Sequence, residues 1–146
     1  MQTTIYKEQA LGVNGVISKA ESQYLATFQG VLMADTAIGS AVGFGTDEGE
    51  VVNSDLTADN FIGFVVRDEF INSCVTPTEI YKAGRTATII TKGSLYIKSP
   101  IALTQGEAVK IGADGVIASG GAITTGWRVE TGCEADGIAI ITTQFK

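Results

Sequence analysis

The stretch Thr86-Ala-Thr-Ile-Ile-Thr-Lys-Gly-Ser-Leu-Tyr-Ile-Lys98 carries the longest clean alternation of apolar and polar residues in this chain of 146 residues. Its odd positions are mostly apolar, among them Ile89, Leu95 and Ile97, and its even positions are mostly polar. Because successive side chains of a β-strand point to opposite faces, a period of two indicates a strand with one dry and one wet face. We therefore expect a long central strand in a half-buried antiparallel sheet.

Gly93 interrupts this alternation, and two interpretations of it assign different faces to the neighbouring residues. A two-residue hairpin turn at Lys92-Gly93 would place Thr88 opposite Ile97, which mixes polar and apolar side chains on one face. A single long strand keeps the faces separate, with Gly93 as a bulge or kink where curvature or a neighbouring backbone excludes a side chain. We predict the single strand.

The composition is that of one globular domain. A chain of this length removes roughly 70% of its unfolded surface from water on folding. Hydrophobic residues make up 45% of it and charged residues 18%, with 18 glycines, which is typical of a protein rich in turns. We divide the chain into an N-terminal arm at residues 1–14, which lacks a periodic pattern and either frays or becomes ordered on a partner, and a single β domain at residues 15–146.

The net charge of −6 argues against nucleic-acid binding, since a protein that grips phosphate backbones needs a basic face. Four basic residues are close together in the sequence, and we interpret them as a solvated face of the long strand rather than an anion site: Lys82, Arg85, Lys92 and Lys98. The N-terminus lacks the basic start and apolar run of a signal peptide. No stretch approaches the roughly 20 apolar residues of a bilayer span, so we expect synthesis in the cytosol and no membrane partner.

The residues needed for common catalytic and metal sites are missing or wrongly spaced. The chain has no histidine, so neither a Ser-His or Cys-His nucleophile nor the usual zinc ligand set can form. Cys74 and Cys133 are too far apart for a CxxC site, and we interpret them as buried free thiols, with a disulfide as the alternative. Gly43-Phe-Gly45 and Gly49 lack the spacing of a phosphate-binding loop. We predict no catalytic residue, no cofactor and no metal site.

The segment from Thr46 to Asn60 is an acidic loop, where a calcium ion or a glycosidase carboxylate pair would be sought. Its acidic residues lack the spacing of a calcium-binding loop, so we interpret them as solvated: Asp47, Glu48, Glu50, Asp55 and Asp59. The lone tryptophan, Trp127, alternates with charged neighbours, which favours a core residue over a platform for stacking on sugars.

The N-terminal third is compatible with at most one or two short helices. Ser18-Lys-Ala-Glu21 has the form of a capping box, and apolar or aromatic residues then recur every four positions, at Ala20, Tyr24, Phe28 and Leu32. This pattern predicts a short helix ending near Gly30. An extended segment over residues 25–33 is supported equally, so both remain open for residues 19–34. Residues 35–39 form either one helical turn or a tight connection.

The remaining segments predict strands. Ala41-Val-Gly-Phe-Gly45 and Phe61-Ile-Gly-Phe-Val-Val66 are short apolar runs typical of strands buried on both faces. Residues 107–119 predict a hairpin with a type I′ turn at Asp114-Gly115. That turn would pair Ala113 with Val116 and Ile111 with Ala118. Further strands are expected at residues 127–131 and 137–142.

No segment of the second half has the length and period of a crossover helix, which excludes a parallel doubly wound sheet. We therefore predict a mainly β fold, a compact antiparallel β-sandwich or small β-barrel.

Glycine and valine motifs in these strands also follow a distinctive order. They are Ala37-Ile-Gly-Ser-Ala-Val-Gly-Phe-Gly45, Phe61-Ile-Gly-Phe-Val-Val-Arg-Asp68, the segment from Tyr81 to Ile97, Leu103-Thr-Gln-Gly-Glu-Ala-Val109 with Gly115, Gly126-Trp-Arg-Val-Glu-Thr131, and Gly137-Ile-Ala-Ile-Ile141. In this order they resemble the phage structural cement protein family, small capsid decoration proteins of tailed bacteriophages. The first 30 residues depart from the family pattern, with Ser18-Lys19 where an Ala-Asp pair is common.

The resemblance implies a virion structural protein without catalysis, made in the host cytoplasm. It also implies a homo-oligomer, a trimer, bound to the outer surface of the head, where it stabilises the shell of major capsid protein. The alternative from another class is a carbohydrate-binding or adhesin-type β module with Trp127 or Tyr96 as its sugar platform. A hydrolase would need paired acidic residues in one concave pocket.

Overall fold

The computed structural model describes residues 14–19, 25–67 and 80–143. These residues form twelve β-strands and contain no helix, and hence none long and apolar enough to cross a membrane. The strands are β1 (Ile17–Lys19), β2 (Ala26–Leu32), β3 (Thr36–Ala37), β4 (Ala41–Phe44), β5 (Glu50–Val52), β6 (Phe61–Val65), β7 (Ile80–Tyr81), β8 (Thr86–Lys92), β9 (Ser94–Lys98), β10 (Ala108–Ile111), β11 (Ile123–Thr131) and β12 (Ile138–Thr142).

Five strands close into a small barrel in the order β2-β5-β4-β6-β8. Five others form an open antiparallel sheet in the order β1-β9-β12-β11-β10, and β3 pairs with β7 in a two-stranded ribbon. The predicted mainly β fold is confirmed. One pair of strands departs from the antiparallel expectation, because β2 and β5 run parallel, with Val31 opposite Glu50 and Leu32 opposite Val51.

Two hydrophobic cores lie on the two sides of the barrel wall. The barrel interior contains Val42 of β4, Val65 of β6 and Ile89 of β8. Their direct neighbours Phe64 and Ile90 point the other way, into the core between the barrel and the open sheet. Because adjacent strand residues alternate between faces, one apolar run serves both cores. The prediction that β4 and β6 are buried on both faces is thus confirmed for these residues.

The long strand predicted over Thr86–Lys98 is two strands in two different sheets. Strand β8 belongs to the barrel and β9 to the open sheet, and they do not pair with each other. The hairpin was correctly rejected, but the single continuous strand is wrong. The chain turns at Gly93, whose φ of +139° disfavours any residue with a Cβ atom. The N–H of Gly93 donates to Thr143 Oγ1 at 2.9 Å, which fixes the kink.

Strand β2 is extended, so for residues 26–32 the extended alternative is confirmed and the helix ending near Gly30 is wrong. Its register with β8 places Phe28 opposite Ile89, and this cross-strand pairing outweighs the four-residue apolar spacing. Residues 20–24, which contain part of the capping box, lie outside the described residues. Residues 35–39 contain strand β3 and a turn, so of the two alternatives the tight connection is observed rather than a helical turn. The acidic loop contains strand β5, which the sequence did not reveal.

The hairpin after β10 exists, but its register is shifted by one residue. Ile111 bridges Ile117, and the N–H of Gly115 donates to the carbonyl of Gly112 at 3.0 Å. Gly115 has φ +80°, whereas Asp114 does not have the positive φ that a type I′ turn requires at that position. The turn also packs on the barrel, since Leu56 N–H donates to the Ala113 carbonyl at 3.0 Å. This tertiary contact accounts for a register that local turn chemistry did not predict.

Strand β12 matches its prediction, and β11 contains the predicted residues 127–131 but begins four residues earlier, at Ile123. Strand β12 lies in the middle of the open sheet, between β9 and β11. Trp127 of β11 is 1% exposed, and its ring meets that of Phe64 edge-to-face with centroids 5.2 Å apart. This aromatic pair joins the open sheet to the barrel wall.

Candidate interaction surfaces

The polar residues that the sequence offered as candidates do not converge on one site. Strand β5 divides the acidic loop, so that Asp47 and Glu48 lie in the turn before it and Asp55 and Asp59 in the loop after it. No group of three or more His, Cys, Asp or Glu residues able to hold a metal occurs within residues 14–19, 25–67 and 80–143. Some polar groups of the loop form hydrogen bonds within the loop itself, since Asn60 Oδ1 accepts the Thr57 N–H at 2.7 Å.

Trp127 lies in the core, as predicted, and therefore offers no face on which a sugar could stack. Tyr96, the other candidate platform, is half-buried on β9. Its N–H donates to the Val16 carbonyl at 2.9 Å, and its carbonyl accepts the Gly15 N–H at 2.8 Å. Burial of Trp127 removes the main argument for a carbohydrate-binding module.

The four basic residues do not form one face. Lys92 ends β8 and Lys98 ends β9, which belong to different sheets. Lys82 and Arg85 both lie just before the start of β8. The Arg85 guanidinium lies 4.6 Å from the centroid of the Tyr81 ring. The interpretation as one solvated strand face is wrong because the chain changes sheet at Gly93.

Lys82 has a specific acidic partner. Its Nζ lies 3.6 Å from Asp35 Oδ2, and both side chains are well exposed. The pKa of Asp35 is lowered mainly by the hydrogen bond that its carboxylate accepts from the Ala83 N–H at 2.9 Å, and also by the charge of Lys82. Exposed ion pairs contribute little to stability, so this one orients the β7–β8 turn rather than forming a site.

Cys133 is a half-buried free thiol, which confirms the free-thiol interpretation for this residue. Its backbone forms a bridge with Leu103, through hydrogen bonds of 2.9 and 3.1 Å. Burial raises the pKa of the Cys133 thiol, which keeps it in the less reactive protonated form. Cys74 lies outside the described residues.

Asn14 joins the N-terminal segment to both layers of the fold. Its Nδ2 donates to the Ile38 carbonyl next to the barrel, and its Oδ1 accepts the Lys98 N–H of the open sheet, both at 2.9 Å. Its own carbonyl accepts the Nε–H of the buried Arg67 at 2.9 Å. Asn14 thus fixes the start of the described chain to both layers. The division into an arm at residues 1–14 and a domain at residues 15–146 stays a prediction.

Among the residues that the structure describes, five large apolar side chains are exposed: Val31, Met33, Phe44, Ile80 and Val116. Phe44 is the largest of them and is 49% exposed. Its ring meets the half-buried Phe28 ring edge-to-face, with centroids 5.6 Å apart. The two rings and the turn of residues 45–49 line a groove of about 470 Å³ at one end of the barrel, the barrel-mouth groove. Sequence reasoning placed Phe44 in a buried strand, so it missed this feature.

The described residues thus form a small two-layer β module in which many polar side chains hydrogen-bond to backbone groups of other segments, while several large apolar groups remain exposed. The model of the family described as structural cement protein (E217 gp24/Pam3 gp6) matches residues 1–144. The chain belongs to this family, and the resemblance drawn from its strand motifs is confirmed. It is a bacteriophage virion structural protein of the cement or decoration type.

The fold is similar to that of a chain in a solved phage capsid structure. A chain of the structure "The capsid of Myoviridae Phage XM1" is 18% identical, with a TM-score of 0.68, and the match covers 90% of this chain and 89% of that one. The head fibre gp8.5 N base of bacteriophage phi29 is 7% identical, with a TM-score of 0.49 over 81% of this chain and 92% of that one, a likeness too weak to carry an argument. A sequence search of curated proteins gave no match.

Proposed function

We propose that this protein is a trimer bound to the outer surface of the phage head, where it joins neighbouring major capsid protein subunits and has no catalytic role. The observation that carries the proposal is the family match over residues 1–144. A module of 15.2 kDa offers little surface for any one contact. In a trimer, however, each later contact with the shell forms at high effective concentration, so weak contacts combine into stable attachment.

The shell-stabilising role is tested by heating empty heads with and without the purified protein. A protein that binds only the assembled shell stabilises it by mass action. We expect the dissociation temperature of the heads to rise with protein concentration until the sites are filled. Heads that bind no protein, or that bind it without any rise in dissociation temperature, would contradict the role.

Location on the outer surface is supported by charge. The net charge of −6 gives the protein no electrostatic attraction to packaged DNA. A bulky lysine-reactive reagent that cannot enter the head should modify the exposed Lys82 and Lys92 equally in intact and disrupted virions. Peptide mass spectrometry measures the extent of modification at each lysine. Modification confined to disrupted virions would place the protein inside instead.

The trimer is supported by the way cyclic symmetry hides strand edges that would otherwise aggregate. One edge of the open sheet is already covered within the subunit. Residues 116–118 return along β10, where the Ala118 N–H donates to the Lys110 carbonyl at 3.0 Å. In the described part of the chain, β1 forms the other edge. Native mass spectrometry should give three times the 15.2 kDa subunit mass, and a monomer at every concentration would contradict the proposal.

The N-terminal arm is proposed to become ordered on a neighbouring subunit. The proposal is supported by Asn14, the first described residue, whose side chain accepts the Lys98 N–H and which lies close in sequence to the edge strand β1. Deletion of residues 1–13 should leave the melting temperature of the isolated subunit fold nearly unchanged but weaken the trimer. A deletion variant that assembles like the full chain would contradict this role.

A further inference from the structure

The barrel-mouth groove combines an aromatic floor with an acidic wall. Phe44 follows Val42 by two residues and so faces the same side of β4, the side that lines the barrel interior. Phe28 packs against that interior core at the same end of the barrel. Phe44 extends beyond it and remains 49% exposed while its ring rests on Phe28. The core of the barrel is therefore already closed by Phe28, and the exposed part of Phe44 adds little to folding.

The wall of the groove is a tight and well-defined turn. The Gly45 N–H donates to the Glu50 carbonyl at 2.9 Å, and Gly49 takes φ +87°. The Glu50 carboxylate accepts the Asp47 N–H at 3.1 Å and so has a structural role. The carboxylates of Asp47 and Glu48 are exposed along the groove, and within the described ranges neither has an ion-pair partner.

We propose that the barrel-mouth groove binds a lysine or arginine side chain of the major capsid protein, an inference that rests on the proposed function. The aliphatic stem of the cationic side chain would lie on the Phe44 ring, and its charged head would meet Asp47 and Glu48. Long basic side chains bury their stems on apolar surface while the charge remains at the edge. A cation is also attracted to an aromatic face.

Charge complementarity selects this occupant over others. A purely apolar occupant would desolvate Asp47 and Glu48 without giving them a partner, which is unfavourable. An acidic occupant would be repelled. Contact of the groove with a second copy of this chain is a separate outcome, which measurement of the oligomeric state distinguishes.

The test measures binding of the purified protein to empty heads that lack it, by co-sedimentation at low and high salt. Two variants address the two halves of the groove, Phe44→Ser for the floor and Asp47→Asn with Glu48→Gln for the wall. A matched control removes two exposed carboxylates from the β11–β12 turn, Glu134→Gln with Asp136→Asn. Asparagine suits the positive φ of +64° at position 136.

We expect Phe44→Ser to weaken binding about tenfold, as loss of an interface anchor does. The wall variant should weaken it about fivefold at low salt and much less at about 1 M salt, where exposed charges are screened. The control should bind within about twofold of the unaltered protein. If Phe44→Ser does not fold, the wall variant and its salt dependence decide alone.

The outcomes separate this inference from the proposed function. If the unaltered protein does not bind the heads, the proposed function fails and the inference fails with it. If the unaltered protein binds and the wall variant binds equally well at low salt, only the inference is overturned. The subunit of either variant could still bind the heads normally while the variant no longer forms the native oligomer. In that case the groove is a contact between copies, and the inference is likewise overturned.

Discussion

Asn14 shows how a single polar residue can hold two layers of a small β protein together. Its side-chain amide bonds to Ile38 and to Lys98, residues 24 and 84 positions away in the sequence. Both bonds join segments that are far apart in the sequence, so the contact depends wholly on the folded arrangement. Loss of such a partner leaves a half-buried polar group unsatisfied.

We therefore expect Asn14→Ala to lower the free energy of unfolding by about 1–3 kcal/mol. Denaturant titration of the purified protein measures the change. Asn53→Ala is the control, because the Asn53 amide makes one exposed hydrogen bond, to the Asp35 carbonyl at 3.0 Å. The control should lose less than about 1 kcal/mol. Equal effects of the two variants would show that Asn14 does not connect the layers.

Leu95 tests the assignment of faces on β9. It is fully buried in the core between the barrel and the open sheet. Leu95→Asp would place an unpaired charge there and destabilise the protein by at least several kcal/mol, which thermal unfolding followed by circular dichroism would detect. Thr124→Asp, at an exposed position opposite Lys110 on β11 and β10, serves as the control. An unchanged melting temperature for Leu95→Asp would mean that the face is wrong.

The burial of single apolar residues was the feature of the fold best predicted from the sequence. The exposed and polar candidates for function were not predicted well. Trp127 and Leu95 followed from alternation along one strand. Phe44 lies in an equally apolar run, but its exposure depends on β4 ending at the mouth of the barrel, which local pattern does not encode. Asn14 carried no local signal at all.

At the scale of elements, Gly93 allows one continuous stretch of sequence to serve two sheets. On β8 the even-numbered Ile90 faces the shared core, while on β9 the odd-numbered Leu95 and Ile97 do. The kink at Gly93 produces this change of phase, from even-numbered to odd-numbered residues facing the shared core. It therefore has a larger effect on the fold than a bulge within one strand would have.

Gly93→Ala should therefore lower the free energy of unfolding by about 1–3 kcal/mol, because alanine is strained at φ +139°. Gly120→Ala is the matched control, since a Cβ atom at Gly120 would meet nothing within 4 Å and its φ is not in the restricted range. Chemical denaturation compares the two variants. If Gly93→Ala is as stable as the control, the change of phase does not depend on glycine at this position.

The sequence located most strands but not their partners. Short apolar runs identified β4, β6 and β12, and alternation or turn chemistry identified β10 and β11, because these signals lie in each strand's own residues. Pairing depends on distant segments, which is why the sequence left helix and strand open at β2 and gave the wrong hairpin register. The short strand β5 escaped notice because charged and glycine residues surround it.

For the whole molecule, the shared core predicts a single cooperative unfolding transition. Phe64 of the barrel and Trp127 of the open sheet pack ring to ring, so the core that the two layers share is lost when they separate. Tryptophan fluorescence, which reports only Trp127, and far-ultraviolet circular dichroism should give coincident transitions at one protein concentration. Two separate midpoints would show that the layers unfold independently.

The position of β12 also governs when the protein can fold during its synthesis. It is the last of the described strands to be made, yet it lies between β9 and β11, which pair with it and not with each other. The open sheet therefore stays divided until residues 138–142 have been made. A nascent chain stalled before residue 138 has no means of completing this sheet.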